Sequence, residues 1–294
     1  MKEPASRPHP GALGCLAGRP VARIGFGAMQ LDSGPGDEGV ALLRAAVDLG
    51  VDHLDTAEFY GAGAVNRLIR SALQPFPEQL VVVTKVGAAP DPAGAVGLRA
   101  AQRPSELRAQ VEANLASLGV ERLDVVNLRR MDTRPGLLAE GDQRVPLEDQ
   151  LAELSALREE GKLAAIGLSH VSAEQVRVAL AAGIVCVQNA YSVVDRSSDE
   201  VLETCVQHEL AFVPYFPLGG AFPGRPKVVE HPDVVAAALR LGVSPAQVGL
   251  AWLLGRAANT LLIPGTRRIV HLRENLAAGD IVLDGDPMSA LNRR

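Results

Sequence analysis

The stretch "VVNLRRMD", residues 125–132, begins as a strand and ends in two arginines and an aspartate. Strand alternation sends Val126 and Leu128 to one face and leaves Asn127 and Arg129 together on the other. A guanidinium is among the last groups to leave water, so an arginine at the end of a buried strand calls for an oxygen beside it.

The same stretch is one unit of a longer pattern. "LDVVNLRR" runs into the helical "LEDQLAELSALREEGK", and the alternation repeats on both sides of it. Before it come "ARIGFG" with "DEGVALLRAAVDLG", "VDHLDT" with "AVNRLIRSAL", and "LVVVTKVG" with "PSELRAQVEANLASLG". After it come "LAAIGLSH" with "SAEQVRVALAAG" and "VCVQNAY" with "SSDEVLETCVQHEL". "AFVPYFPL" precedes "PDVVAAALRLG" and "SPAQVGLAWLLGRAA", and "TLLIPG" precedes "RRIVHLRENLAAG". Proline at helix starts and glycine at helix ends punctuate the units. Strands this apolar on both faces suit a parallel sheet covered by helices. Eight units predict an α/β (β/α)8 TIM barrel forming one domain over residues 1–294. The turn residues of "GCLAGRPVARIG" predict a short hairpin closing the barrel bottom. Residues 1–20 are then an extension of that hairpin or disordered. A doubly wound open sheet is the alternative. "GFGAMQ" weakens it, because it does not continue as the glycine fingerprint G-x-G-x-x-G.

Composition narrows the function. The 294 residues are 47% apolar and 21% charged, as in a globular chain with a sizeable core. A net charge of −5 argues against nucleic acid or an anionic membrane as partner. No apolar run approaches a membrane span, and the first twenty residues lack the apolar core of a signal peptide. The expected location is the cytoplasm. Cys15, Cys186 and Cys205 show no metal spacing and are expected to be reduced thiols. The sequence sets no oligomeric state.

In a barrel, chemistry belongs where strands end. That edge reads Asp55, Lys85, Arg129, Ser169 with His170, Gln188, Tyr215, and Gly265 with Thr266. Lys85 shares an inward face with Val81 and Val83. An aspartate beside a partly buried lysine holds the ammonium in place, and a fixed ammonium near the Tyr60 phenol is expected to lower its pKa from about 10. That describes a proton donor. The same lysine, with an acid and a tyrosine nearby, also suits a Schiff-base aldolase.

The motifs "DTAEFYG", Thr84–Lys85, "GLSH", "VQNAYS", "PYFPLG", "SPAQVGLAWLL" and "IPGTRR…HLREN" resemble the aldo-keto reductase superfamily, in family order, from about Arg23 to Gly279. The resemblance implies an NADPH-dependent reductase of small-molecule carbonyls on a (β/α)8 barrel. It implies a catalytic group at Asp55, Tyr60, Lys85 and the position of Arg129. Ser169, His170 and Gln188 would hold the nicotinamide carboxamide, and Tyr215 would stack on its ring. Gly27, Ala28, Met29, Pro217 and Leu218 would line the cofactor. Gly265, Thr266, Arg267, His271, Glu274 and Asn275 would take the adenosine end, with Thr266 and Arg267 on the 2′-phosphate. A guanidinium fork suits a phosphate, and cations at a helix N-terminus are unfavourable unless an anion sits there.

Two positions depart from the family pattern. Arg129 stands where histidine is usual, and an arginine donates hydrogen bonds but cannot serve as the acid. Proton donation is therefore assigned to Tyr60, and Arg129 is read as polarising the substrate oxygen. The bland alternative pairs Arg129 with Asp132 or Asp55. Arg130, on the opposite face, is read as structural. Asn66 stands where glutamate is common; with "VVNLR" it resembles the bacterial branch that includes pyridoxal reductase, which makes pyridoxal a candidate substrate. Reduction of a polarised C=C bond or an imine, and a catalytically weak NADPH-binding regulatory subunit, are the alternatives. The loops 87–103, 131–145 and 219–231 would face the substrate, with Met29, Phe59 and Phe222 as apolar walls.

Overall fold

The computed structural model describes residues 9–33, 36–94, 97–134, 136–219, 224–283 and 285–292. The anticipated wall residue Phe222 and residues 1–8 lie outside them.

Two antiparallel strands, β1 (Leu13–Leu16) and β2 (Arg19–Ala22), form the expected hairpin. Seven parallel strands then build one curled sheet. They are β3 (Phe26–Gly27), β4 (His53–Asp55), β5 (Val81–Val86), β8 (Leu123–Arg129), β9 (Leu163–Ser169), β10 (Cys186–Gln188) and β11 (Ala211–Phe212). Between β5 and β8 a small antiparallel pair intervenes, β6 (Ala88–Pro90) with β7 (Leu98–Ala100).

The eighth barrel segment, read from "TLLIPG", appears as bridges rather than a full ladder. Leu262 pairs in parallel with Ile24 on one side, and Thr260 with Phe212 on the other. The Leu262 amide donates to the Arg23 carbonyl at 2.7 Å, the Gly25 amide to the Leu262 carbonyl at 2.8 Å, and the Leu261 amide to the Phe212 carbonyl at 2.9 Å. These bonds join the two edges of the sheet. The barrel is closed, and the open-sheet alternative falls.

Helices follow the strands: α1 (Gly36–Asp48), α2 (Ala64–Leu73), α3 (Pro104–Leu118), α4 (Leu147–Glu159), α5 (Ala173–Ala179), α6 (Asp199–Gln207), α7 (Pro232–Leu241), α8 (Pro245–Arg256), α9 (Ile269–Ala277) and α10 (Gly285–Asn292). Their ends obey the local chemistry. Ser244 caps α8 and Gln247 reaches back, with Pro245 at the first helical position. Helix α3 starts on Pro104 and stops at Gly119, whose φ of 68° is left-handed. Among the described residues no single helix is long and apolar enough to cross a membrane.

Alternation splits each strand between two cores. Val82, Val86, Val126, Leu128, Ile166 and Leu168 face the helices. Val81, Val83, Val125, Ala165, Ala211, Leu261 and Ile263 fill the barrel, and Leu16 and Val21 of the hairpin plug it from below. Above that apolar floor the inward positions turn polar. Lys85, Asn127 and Gly167 stand in register, and Arg129, Ser169 and Gln188 form the next layer up.

Truncating the plug should therefore cost far more than truncating its exposed neighbour. Leu16→Ala is expected to lower the unfolding free energy by about 3 kcal/mol. Leu13→Ala, on the same hairpin but 54% exposed, should stay within roughly 0.5 kcal/mol of wild type. Urea unfolding midpoints measure both.

Candidate active site

Lys85 ends its run on β5 with its ammonium buried. Nζ donates to Asp55 Oδ1 at 2.5 Å and to the Thr56 carbonyl at 2.9 Å. The other carboxylate oxygen of Asp55 accepts from Gln188 Nε2 at 2.8 Å. An ionised carboxylate only accepts, so it fixes the Gln188 amide with its nitrogen down and Oε1 turned away. Burial alone would lower the Lys85 pKa. The Asp55 charge and the Tyr60 phenol overcome that, and the pKa stands above 10.5. Lys85 is therefore held as an ammonium. A Schiff-base lysine must act as a neutral amine, which the ion pair with Asp55 opposes, so the geometry counts against the aldolase alternative.

Tyr60 lies in the turn after β4, with the Lys85 ammonium 5.1 Å from its ring centroid and Phe59 edge-on at 5.1 Å. The expectation of a lowered phenol pKa is corrected here. Burial is the largest influence and raises it, and the Asp55 charge adds to the rise. Lys85 and Arg129 pull it down, as anticipated, but by less. Tyr60 is a protonated phenol through neutral pH, with a cation placed to stabilise the phenolate it would leave behind.

Arg129 forms no ion pair among the described residues, and its Nε is buried without a hydrogen-bond partner. Asp132 is taken by Arg130 and Asp55 by Lys85, so the bland pairing fails for both carboxylates. The structural reading of Arg130 is borne out: it also donates to the Val145 carbonyl at 3.0 Å and to Gln150 Oε1. Burial raises the Tyr215 pKa, and the Arg129 charge pulls it part of the way back.

Three more buried polar atoms at this edge have no partner among the described residues: Ser169 Oγ, Gln188 Oε1 and Asn127 Nδ2. Buried polar groups are ordinarily satisfied, so a cluster of orphans marks a place for a ligand. Beside them lies a groove of about 230 Å³ that joins Asp55 and Tyr60 to Gly27, Met29, Gln30, Tyr215–Gly219 and Ile263–Gly265. A Cβ on Gly265 would meet the Gly27 carbonyl oxygen at 2.7 Å, and one on Gly27 would strike the Ile263 carbonyl. Glycine is required at both for the strand ends to meet there.

Of the anticipated cofactor residues, Gly27, Met29, Tyr215, Pro217, Leu218 and Gly265 line this groove. Ala28 is buried beside it, its amide bonded to the Asp55 carbonyl at 2.8 Å. Farther out, the Thr266 hydroxyl accepts from the Arg268 amide at 3.1 Å and shapes the start of α9. Arg267, His271 and Glu274 are exposed on that helix end, and Asn275 is buried. The His170 ring turns to Tyr215 and Thr133, and both its nitrogens are occupied by protein.

The sequence reading expected Phe59 as an apolar wall but missed the apolar cluster it belongs to. Ala88 and Met131 pack with Ala139, and Phe59, Leu98, Ala100 and Leu137 join them. It also missed the polar network behind the pair. The Thr56 hydroxyl donates to Asn66 Oδ1 at 2.8 Å and Asn66 Nδ2 to Asn114 Oδ1 at 3.0 Å, while the Thr84 hydroxyl reaches Asn114 at 2.5 Å. Asn66 stood out only as a departure from the family pattern; Asn114 gave no signal within its helix.

Comparison with known proteins agrees with this layout. The model of the Aldo/keto reductase family matches residues 23–293. The chain belongs to the aldo-keto reductase family. It is 42% identical over 286 residues to pyridoxine 4-dehydrogenase of Escherichia coli, covering 94% of this chain and 96% of that one. It is 32% identical to a probable aldo-keto reductase 1 of Glycine max, over 88% and 81% of the two chains. Among solved structures, an aldo-keto reductase from Klebsiella pneumoniae in complex with NADPH superposes with a TM-score of 0.78 at 27% identity, over 96% of this chain and 94% of that one. The protein is thus an oxidoreductase of the aldo-keto reductase family on a parallel α/β barrel.

Asp55→Asn removes the counter-charge of a buried ammonium and should lower stability at neutral pH by about 3 kcal/mol. Because Asp55 helps raise the folded-state pKa of Lys85, the wild-type advantage is fully present below pH 10.5 and fades as pH rises through the folded value. Chemical denaturation at several pH values reads both.

Proposed function

We propose that this aldo-keto reductase uses NADPH to reduce the aldehyde or ketone of a small molecule to an alcohol, with pyridoxal as its leading candidate substrate. The observation that carries the reading is the buried Gln188–Asp55–Lys85 chain beneath Tyr60, with the guanidinium of Arg129, which forms no ion pair among the described residues, at the same mouth. The substrate class draws support from the pyridoxine 4-dehydrogenase relative, whose named alcohol is the reduced partner of pyridoxal.

The residues present fit NADPH. Ser169 Oγ and Gln188 Oε1 are buried and unpartnered, matching the donor and acceptor of a carboxamide. The glycine-walled groove runs from there past Tyr215 to Gly265. Arg267 and Arg268 reach the start of α9 without an ion pair among the described residues, where only a bound anion removes the penalty for two cations. Bound there, NADPH would supply the hydride.

The chain's own part is electrostatic and acid–base. Tyr60 gives its proton to the carbonyl oxygen as charge develops on it. Lys85 stabilises the phenolate left behind, and Asp55 keeps Lys85 charged and in place. Arg129 donates to the same oxygen and lowers the cost of the developing alkoxide. Phe59, Met131, Leu98 and Leu137 keep the mouth apolar, which strengthens those charges. The arginine also favours one second reading, reduction of a polarised C=C bond, because an oxyanion stabiliser that gives up no proton serves an enolate equally. A product with its carbonyl intact would show it.

Tyr60→Phe is expected to lower kcat with pyridoxal by about 100-fold or more while the NADPH dissociation constant stays within roughly twofold. NADPH oxidation and a binding titration on the same preparation test it. Retained turnover in the Phe variant would remove Tyr60 as the acid.

A further inference from the structure

Arg129 is the last residue of β8, half-buried on the inward face and in register with Ser169. Ser169 is in register with Gln188, whose Nε2 donates to Asp55 at 2.8 Å. The arginine therefore shares its layer with a residue tied to the Asp55–Lys85 pair beneath Tyr60. Its Nε is buried and has no hydrogen-bond partner among the described residues. Nε and the neighbouring Nη make one fork of parallel N–H donors, and the inner prong of that fork is unfilled.

Counter-charge is missing as well. The carboxylates around this mouth are engaged elsewhere: Asp55 with Lys85, Asp132 with Arg130, and Asp195 with the Ser197 hydroxyl at 2.7 Å. Tyr60 and Tyr215 are phenols whose pKa burial raises, so neither supplies a negative charge at neutral pH. With Lys85 balanced by Asp55, the mouth keeps one net positive charge, on Arg129. A neutral substrate that displaced water from it would leave a cation desolvated and unpaired, which is costly. A substrate with an anionic oxygen beside its carbonyl removes that cost.

The walls narrow the choice of anion. Met131, two residues beyond Arg129, packs in one apolar cluster with Phe59 and Leu137. Phe59 stands edge-on to Tyr60 at 5.1 Å, so the apolar wall runs from the acid towards the cation. That surface suits a flat ring carrying its charge on one edge. A guanidinium fork takes two oxygens held side by side. A formyl oxygen and a hydroxyl oxygen on adjacent ring carbons are such a pair. The formyl group acidifies that hydroxyl, and a permanent cation beside it favours the phenolate.

We propose that Arg129 sets specificity by binding a phenolate oxygen ortho to the aldehyde, so that the substrate class is the aromatic ortho-hydroxy aldehyde. The inference rests on the reading that this site reduces carbonyls with Arg129 polarising the substrate oxygen, and it narrows that reading. One prong of the fork meets the formyl oxygen together with Tyr60, and the other meets the phenolate, which takes no part in the bond changes. Pyridoxal belongs to this class, because its ring carries a hydroxyl next to the formyl group. Salicylaldehyde is its simplest member.

The test compares salicylaldehyde with 4-hydroxybenzaldehyde and 2-methoxybenzaldehyde in wild type, Arg129→Met and Arg129→Lys. In wild type, kcat/KM for salicylaldehyde should exceed the other two by about 100-fold. Arg129→Met should lower it about 300-fold for salicylaldehyde and about tenfold for the others, so that the preference shrinks about 30-fold. Arg129→Lys keeps the charge without the fork and should fall between. A second readout needs no turnover. With NADP+ bound, wild type should give salicylaldehyde its long-wavelength phenolate band at a pH where the free compound is mostly neutral, and Arg129→Met should abolish that band. Equal losses for all three aldehydes in Arg129→Met, or no phenolate band in wild type, would overturn the proposal while leaving carbonyl reduction in place. An Arg129-dependent preference for phenylglyoxylate over salicylaldehyde would overturn it in favour of a carboxylate as the anion. If no aldehyde is turned over and the band still depends on Arg129, the phenolate site stands and the reductase reading is the one that fails.

Discussion

A lysine cannot sit charged inside a barrel without a partner, and the Asp55–Lys85 pair is the constraint on which the rest of this site depends. Once Asp55 is committed through one oxygen to the ammonium, its other oxygen settles the Gln188 amide, and Gln188 Oε1 is left buried without a partner among the described residues. The charge so fixed lies 5.1 Å from the Tyr60 ring centroid. One ion pair thus positions an acid and exposes an acceptor. The Thr56–Asn66–Asn114–Thr84 network behind it joins the ends of β4 and β5 to α2 and α3, so the pair is held from the helical layer as well as by the strands.

The Arg129 layer follows the opposite logic. Lys85 is charge-paired with Asp55 and fixed, whereas Arg129 forms no ion pair among the described residues and its charge is open to whatever enters. The two cations pull the Tyr60 pKa down and burial pushes it up, with burial prevailing. A phenol that stays protonated until an oxyanion begins to form beside it suits proton donation better than one already ionised.

Much of this was legible in sequence, because a parallel barrel leaves plain marks. Apolar runs bounded by proline and glycine mark the eight units, and alternation within "DVVNLRR" is enough to place Asn127 and Arg129 on the inward face. What escaped reading depended on tertiary context. The hairpin at Ala88–Pro90 and Leu98–Ala100 lies in a segment rich in Gly, Pro and Ala, with no period-two pattern to announce it. Asn114 looks like an ordinary polar residue on α3, and only packing shows that it is fully buried. The net direction of the Tyr60 shift needed the balance of burial against two cations. The bonds of His170 needed the position of Thr133, 37 residues away in the chain.

The measurement that tests carbonyl reduction at this site most directly is transfer of isotope. NADPH carrying deuterium at the transferable C4 position would be incubated with pyridoxal and the purified protein, and the products analysed by mass spectrometry. The account predicts pyridoxine bearing one deuterium on its new alcohol carbon, formed in step with NADPH consumption. NADPH that binds but delivers no deuterium to pyridoxal or to any member of a panel of aldehydes and ketones would contradict it.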